Sequence, residues 1–435
     1  MRKDIVHIGA DKMHYEVLSI VELARELNAL GLDIYWENIG DPISKGLSLP
    51  SWFKEIVSNS LQSDELYGYS PTKGLYQTRK FWADISLRNN GKYISPDDII
   101  FFNGLGDAIN KIFGFLKRTA RVLVPSPGYM TYASGEAAHA GALPVSYYLH
   151  PQNGWCPDVA DIETRIRYNP SVVAILIVNP DNPTGFVYPE KILREIVILA
   201  RKYNLFVIVD EVYENIVFND QVPCSLGKYI GDVPGIALKS MSKEMPWPGA
   251  RCGWMEVYNR EKDTGFDAYI NSIVNAKMLE VCSTTLPQKV LPILMAHPGY
   301  KSFLQERVQK YQERANIAYK MFCGEEGLIV NPSNGAFYFT VVFQTNYLSE
   351  DQTLPVPNNL VSNKIAQLVD APMMALDKRF SLYLLGNTGI CVVPLSSFNT
   401  ELQGLRMTLL EEDDKRFLWT VTSIRDSLRN YLGTM

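Results

Sequence analysis

The spacing of apolar residues changes along the chain. From Tyr15 to Gly31, apolar side chains recur every three to four positions and a glycine follows them, which predicts an amphipathic helix with a C-terminal cap. A short helix is expected after Pro50. From about Pro96 onward, short apolar runs alternate with amphipathic segments. This alternation predicts strands and helices in turn.

The apolar runs have the length of strands and are bounded by turn-forming residues. The predicted strands are IIFF (99–102), RVLV (121–124), AILIV (174–178), LFVIV (205–209), IALK (236–239) and WMEV (254–257), with helices at 106–118, 129–140 and 189–203. Continuous apolar strands between helices indicate a parallel sheet that is buried on both faces. Ligands of such sheets bind at the carboxyl ends of the strands.

The pattern changes again beyond about Pro298. It predicts a long charged helix, a strand, a polar stretch with two prolines, and a final strand and helix, at 301–322, 336–343, 345–359, 404–410 and 413–432. The C-terminal third and the N-terminal helix are expected to form a second, smaller α/β domain. The predicted division is an N-terminal segment of the small domain at 1–66, a large domain at 67–310 and a small C-terminal domain at 311–435.

Composition narrows the classes of protein. The 435 residues include 42 Lys+Arg and 47 Asp+Glu, and a net charge of −5 argues against a nucleic-acid binder. The five histidines and six cysteines lack the spacing of a metal site or a disulfide scaffold, so the cysteines are expected to be buried small hydrophobic residues. With no apolar leader and no run long enough to span a bilayer, a cytoplasmic protein without a membrane partner is expected.

Two strands lead into polar turns that allow more than one interpretation. AILIV is followed by NPDNPTG (179–185), which taken alone is a tight surface turn. LFVIV leads into Asp210, Glu211 and Tyr213, and a carboxylate at this position is either a helix N-cap or a partner for a cationic group.

Two further strand ends carry groups that suit an anion. After IALK, Lys243 lies close in sequence to Ser240, Ser242 and Arg251. Hydroxyl groups and a guanidinium together can bind a phosphate. Of these residues, Ser242 is the one least expected to contact it. IIFF is followed by NGLGDAI (103–109), a glycine-bearing turn that enters a helix and offers backbone N–H groups to an anion. Together, an imine-forming lysine, an aspartate for a ring nitrogen and a phosphate pocket match the aldehyde, the pyridine nitrogen and the phosphate of pyridoxal phosphate.

These segments resemble the motifs of one enzyme family. The chain is similar over nearly its whole length to the class I and II aminotransferases, which are pyridoxal-phosphate enzymes of fold type I. The similar segments are LARELNALGLDIYWENIGDP (23–42), YSPTKGL (69–75), VLVPSPGYMTY (122–132), NPDNPTG, DEVY and SMSK with the following arginine. The resemblance implies a large domain with a mostly parallel sheet flanked by helices, and a small α/β domain formed from both chain ends.

The resemblance also implies a role for individual residues. Lys243 would bond the cofactor covalently and move the substrate proton, for which its pKa must be lowered, in part by Arg251. Asp210 would pair with the ring nitrogen, and Tyr129 would stack on the ring. The remaining implied roles are Asn182 and Tyr213 at the phenolic oxygen, Leu105, Gly106, Ser240 and Arg251 at the phosphate, Tyr69 at the phosphate of a second subunit in a homodimer, and Arg406, with Gly40 and Asn182, at the substrate.

Simpler interpretations exist for some of these residues. Tyr69 and Tyr129 could be packing aromatics, and Arg406 could pair with Glu411 or Glu412. Trp247 and Trp254 are expected to pack rather than to react. The pocket wall is expected to include Trp36, Tyr35, Tyr15 or the stretch 345–375, and a basic residue on it would indicate a dicarboxylic substrate.

The implied activity is amino transfer between an amino acid and a 2-oxo acid by a ping-pong mechanism. A carbon-sulfur lyase or decarboxylase on the same fold is the alternative. A transcription regulator would need a basic DNA-binding module, and a non-catalytic binding protein would not be expected to keep Lys243, Asp210 and Arg406. Two segments depart from the family pattern. PLSSF (394–398) lacks an expected glycine. The stretch 345–375 is longer than expected, and it is either a lid over the pocket or a surface loop without a function.

Overall fold

The structure is a computed structural model that describes residues 5–13 and 16–433. The helices are α1 (Glu16–Ala29), α2 (Ser51–Ser60), α3 (Tyr76–Asn90), α4 (Leu105–Gly114), α5 (Met130–Ala140), α6 (Val159–Arg167), α7 (Glu190–Lys202), α8 (Thr264–Leu279), α9 (Thr285–Ala296), α10 (Gly299–Phe322), α11 (Asn359–Val369), α12 (Leu376–Thr388) and α13 (Asp414–Leu432). The strands are β1 (Tyr35–Trp36), β2 (Ile99–Phe102), β3 (Arg121–Ser126), β4 (Ser146–Tyr148), β5 (Val172–Val178), β6 (Phe206–Asp210), β7 (Gly235–Ser240), β8 (Gly253–Tyr258), β9 (Leu328–Val330), β10 (Tyr338–Phe343), β11 (Ile390–Cys391), β12 (Val393–Pro394) and β13 (Gly404–Thr408).

Seven strands form the large sheet, in the order β2-β8-β7-β6-β5-β3-β4. Strands β7, β6, β5, β3 and β4 pair in parallel, whereas β8 is antiparallel to both of its neighbours. The predicted strand at WMEV is therefore present, and its antiparallel direction agrees with the expected sheet, which was mostly and not entirely parallel. The loop 241–252 that joins β7 to β8 contains no crossover α-helix, so the chain returns in the opposite direction.

The large sheet is buried on both faces, as its continuous apolar strands indicate. Within β2, Ile99 and Phe101 pack in one apolar cluster, and Ile100 and Phe102 pack in a second cluster. Because successive side chains of a strand point to opposite faces, each face needs its own covering helices. This packing confirms the predicted α/β class.

A smaller unit is formed from both ends of the chain. Its antiparallel sheet has the order β12-β13-β10-β9, and β1 pairs in parallel with β11. Ile20, Ala24 and Leu27 of α1 pack in a cluster with apolar residues of α11 and α12. The predicted domain boundaries stay a prediction; within the segment 1–66, Phe53 of α2 packs with the cluster of the large sheet.

Helix α11 lies within the stretch 345–375, for which the sequence allowed either a lid or a surface loop. Val361, Ile365 and Val369 are buried at helical spacing, and the Asn358 side chain caps the first turn by accepting from the Leu360 N–H at 2.9 Å. The start of the first predicted helix at Tyr15 lies outside the described residues. No helix of the described part is both long and apolar enough to cross a membrane.

Candidate active site

The polar turns after β5, β6 and β7 lie at one edge of the large sheet. Val178 is in register with Asp210, and Asp210 is in register with Leu238 two residues before the end of β7. A cavity of about 540 Å³ opens between this edge and the small sheet. All the predicted site residues except Tyr69 line this cavity: Gly40, Leu105, Gly106, Tyr129, Asn182, Asp210, Tyr213, Ser240, Lys243, Arg251 and Arg406.

Lys243 lies in the loop that follows β7. Its Nζ donates to the Gly40 carbonyl oxygen at 2.6 Å. Burial lowers its pKa to about 8, and the nearby charge of Arg406 acts in the same direction, against the charge of Asp41. This lowered pKa agrees with the expectation, but burial contributes more to it than the charge of Arg251 does. Arg307 of α10 holds the loop, because it donates to the Lys243 carbonyl oxygen at 2.9 Å.

Asp210 is a buried carboxylate at the end of β6. Its Oδ2 accepts from the Tyr132 hydroxyl at 2.7 Å, and its Oδ1 accepts from the Val212 N–H at 3.1 Å. Burial raises the pKa of Asp210 to about 6, and the Tyr132 hydrogen bond opposes that rise. Among the described residues no cation forms an ion pair with this carboxylate, so a protonated ring nitrogen would complement it.

An anion pocket forms where α4 begins. Gly104 precedes the helix at φ +85°, and a Cβ at this position would lie 2.5 Å from the Arg251 Nη2 atom, so only glycine allows the guanidinium to approach the turn. The Ser240 hydroxyl lies 2.8 Å from the Ser242 hydroxyl on the same cavity. Helix N–H groups, hydroxyls and a guanidinium are together suited to a phosphate.

Arg406 lies on β13 and is buried. Its Nη2 donates to the Asn38 carbonyl oxygen at 2.9 Å, and its guanidinium lies 4.5 Å from the centre of the Tyr338 ring. The alternative pairing with Glu411 or Glu412 is wrong, because those glutamates pair with lysines, Glu411 with Lys45 and Glu412 with Lys310. Arg406 is thus held in place while it faces the cavity.

Gly40 packs directly on Tyr338. A Cβ on Gly40 would lie 2.2 Å from the Tyr338 hydroxyl oxygen, and that hydroxyl lies 2.9 Å from the hydroxyl of Tyr213. The N-terminal loop, the small sheet and the large sheet therefore meet at one point. A side chain larger than hydrogen at residue 40 would force them apart.

Some residues of the cavity were not expected from the sequence. They are Arg25, Asn38, Asp41, Tyr338 and Phe398 in the lining, together with Tyr132, which lies outside the lining and donates to Asp210. Tyr132 follows Tyr129 by three residues in a helical segment, which was the signal for a shared face. Tyr338 gave no signal, because its partner Tyr213 is far away in the sequence.

Other expectations about the wall and the cysteines are wrong. Trp36, Tyr35 and the stretch 345–375 contribute nothing to the cavity lining in the described structure, and Tyr15 lies outside the described residues. Trp254 packs against Trp82 and Phe101, as expected. Of the six cysteines only Cys252 and Cys391 are buried, because the others lie in connecting segments, where Cys156, Cys224 and Cys282 are half-buried and Cys323 is exposed.

The residues of the cavity fit pyridoxal phosphate. The Asn182 Oδ1 atom is buried without a hydrogen-bond partner among the described residues, and Asn182 faces the same space as Asp210 and the anion pocket. A buried amide oxygen without a partner is costly, and a polar ligand would supply one. The lysine, the carboxylate and the anion pocket are thus present together, as this cofactor requires.

The fold and the cavity together define a class of enzyme. The family described as aminotransferase class I and II matches residues 38–418 of the chain. The chain belongs to this family, whose members use pyridoxal phosphate, and it is an enzyme that transfers an amino group.

Individual relatives cover most of the chain. It is 50% identical to an uncharacterized aminotransferase of Methanocaldococcus jannaschii over the full length of both. It is 27% identical to the glutamate-pyruvate aminotransferase AlaA of Escherichia coli, over 80% of this chain and 84% of AlaA. The solved alanine aminotransferase of Pyrococcus furiosus is 26% identical, with a TM-score of 0.83 over 98% of this chain and all of that one.

Proposed function

We propose that this enzyme binds pyridoxal 5'-phosphate and exchanges an amino group between an amino acid and a 2-oxo acid by a ping-pong mechanism. The observation that carries the proposal is a single cavity that holds Lys243, Asp210, the anion pocket and Arg406. When bound, the cofactor supplies a carbon that bonds amines and a ring that accepts electrons. Cytoplasmic location stays a prediction.

Each predicted site residue in the cavity has a proposed role. Lys243 holds the cofactor covalently, and its amine, with a pKa of about 8, removes and returns the substrate proton. Asp210 keeps the ring nitrogen protonated, and Arg406 binds the substrate α-carboxylate as a fork, beside Gly40 and Asn182. The other tasks are ring stacking by Tyr129, hydrogen bonds to the phenolic oxygen from Asn182 and Tyr213, and phosphate binding by Leu105, Gly106, Ser240 and Arg251.

The names of the relatives suggest the first substrates to test. The Escherichia coli relative is named for glutamate and pyruvate, and the Pyrococcus furiosus relative for alanine. We propose alanine and glutamate as amino donors and their 2-oxo acids as acceptors.

A half-reaction screen tests the proposed function. Adding alanine alone to the holoenzyme is expected to convert the visible cofactor band to the pyridoxamine form, with one pyruvate released per site, and 2-oxoglutarate is expected to restore the band. Continuous release of ammonia and a 2-oxo acid without an acceptor would establish the lyase alternative instead.

A homodimer with shared active sites is the second part of the proposal. Tyr69 is 85% exposed, and Leu279, four residues before Ser283, is 89% exposed. Its segment is fixed beside the anion pocket, because Ser70 donates to the Ser283 carbonyl oxygen at 3.0 Å while the Thr284 N–H donates to Asn103 at 3.0 Å. Exposed apolar side chains in these two segments suit a second copy that contributes its Tyr69 to the phosphate.

Mixing two impaired variants at a limiting cofactor concentration tests the shared site. Tyr69→Ala is expected to weaken cofactor binding about 10-fold or more, as loss of a hydrogen bond to a charged group does. Mixed with Lys243→Ala, it is expected to regain activity, because one site of the hybrid dimer receives Lys243 from one chain and Tyr69 from the other. Tyr168→Ala, at an exposed tyrosine elsewhere, is the control. A mixture without regained activity, or a monomer in sedimentation, contradicts the shared site.

Tyr132 is expected to position Asp210 rather than to react. Tyr132→Phe removes the hydroxyl that donates to Asp210, so the pKa of Asp210 rises further and the acid limb of the pH profile moves to higher pH. The dissociation constant of the cofactor, measured by fluorescence titration, should rise about 10-fold. Tyr188→Phe removes a buried hydroxyl paired with Tyr147 outside the cavity and should leave both measurements unchanged. Equal effects of the two variants would show that Tyr132 only supports the fold.

A further inference from the structure

Three arginines line the cavity, and two of them have partners. Arg406 donates to the Asn38 carbonyl oxygen, and Arg251 donates to the Pro248 carbonyl oxygen at 3.2 Å. Arg25 lines the same cavity with an exposed side chain, and among the described residues its guanidinium forms no hydrogen bond and no ion pair. In the proposed function, Arg406 binds the substrate α-carboxylate and Arg251 binds the cofactor phosphate.

The packing of α1 fixes the direction of Arg25. Ile20, Ala24 and Leu27 are buried against α11 and α12, which sets the rotation of the helix about its axis. Val21 and Arg25 are one turn apart, so they share a face, and both line the cavity. The position of Arg25 at the cavity is therefore fixed by the buried contacts of its helix.

The surroundings of Arg25 suit a ligand with a carboxylate. Asp41 also lines the cavity, but its Oδ1 accepts from the Ile43 N–H at 2.9 Å and its charge acts on Lys243. Ile39 and Met130 supply apolar wall in the same cavity. Methylene groups against such a wall, followed by a carboxylate that a guanidinium binds as a fork, describe an acidic side chain.

We propose that Arg25 binds the side-chain carboxylate of a dicarboxylic amino acid or 2-oxo acid and so selects the acidic partner of the ping-pong pair. This inference rests on the proposed function. A small neutral substrate such as alanine uses Arg406 and the apolar wall and leaves Arg25 in water. One cavity can then accept both partners in turn, with Arg25 engaged in only one half-reaction.

Specificity of the holoenzyme variants tests the proposal. Arg25→Met keeps the alkyl chain but removes the fork, so kcat/KM for glutamate and for 2-oxoglutarate is expected to fall about 10- to 100-fold. The values for alanine and pyruvate are expected to stay within about twofold, since they gain nothing from the charge. Arg25→Glu should lower the glutamate values further, and Arg25→Lys should retain part of them. Arg167→Met, at an exposed arginine far from the cavity, is the matched control.

Calorimetry with unreactive ligands gives a second measurement that does not depend on turnover. Glutarate is expected to bind the wild type more tightly than butyrate does, and Arg25→Met is expected to remove that difference. An unchanged ratio of glutamate to alanine, or an equal loss for both, overturns the role of Arg25. If the wild type transfers no amino group from either substrate, the proposed function fails instead, so the two failures are distinguishable.

Discussion

Replacing Lys243 with alanine is expected to abolish amino transfer and the visible colour of the bound cofactor together. The variant loses the amine that bonds the cofactor and the group that moves the substrate proton, and proton transfer by a positioned side chain alone contributes about 10²- to 10⁴-fold. We expect turnover to fall by about 10⁴-fold or more, measured as pyruvate released from alanine with 2-oxoglutarate as acceptor.

The fold of the Lys243→Ala variant should be intact. Burial lowers the pKa of Lys243 to about 8, so its charged form is destabilising in the folded chain, and the melting temperature at neutral pH should stay the same or rise. A small primary amine added to the variant is expected to restore part of the proton transfer. An active variant that keeps its colour would contradict the assignment of Lys243.

Replacing Arg406 with alanine is expected to give the second largest loss. The α-carboxylate loses a fork of two charge-assisted hydrogen bonds, so kcat/KM for alanine should fall by about 10²- to 10⁴-fold. Arg406→Lys keeps the positive charge but not the two-pronged hydrogen bond, so its kcat/KM for alanine should lie between those of Arg406→Ala and the wild type.

A substrate without a carboxylate separates binding from damage to the fold. The wild type should prefer alanine to ethylamine strongly, and Arg406→Ala should lose that preference while its activity on ethylamine is unchanged. Arg416→Ala, at a half-exposed arginine of α13, is the control and should behave as wild type. If alanine and ethylamine lose activity equally in Arg406→Ala, the arginine supports the fold and does not bind the carboxylate.

The buried strands were predictable because both of their faces are apolar. The pattern placed β2 at 99–102 as observed, and β5 begins two residues earlier than predicted. Helix ends were less predictable: α4 was expected to reach residue 118, but it ends at Gly114, where glycine weakens the helix and the chain leaves for β3.

Helix α11 shows a signal that was present but outweighed. Val361, Ile365 and Val369 have helical spacing, yet two nearby prolines and many polar residues favoured a loop. Its packing partners on α1 lie at the other end of the chain, so the sequence near α11 does not indicate what its apolar face contacts.

The site residues were predictable where they follow strands, because parallel strands bring their carboxyl ends together. Asp210 and Lys243 were found in this way. Tyr338 and Arg25 at the cavity, and Tyr132 against Asp210, were missed, because their places depend on which face of a helix or strand turns toward the site. That orientation is decided by packing between distant elements, which a local pattern does not contain.

The pairing of β1 with β11 has a consequence for synthesis of the protein. Tyr35 pairs with Ile390, so this contact closes a loop of nearly the whole chain, and loops of this kind form late. On the ribosome, the large sheet is complete once residue 258 has emerged, whereas α1 must wait with Ile20, Ala24 and Leu27 uncovered until α11 and α12 are made. The segment made first is thus among the last to fold, and because Gly40 and Arg406 both belong to this late step, a chain released early would hold a finished sheet without a closed active site.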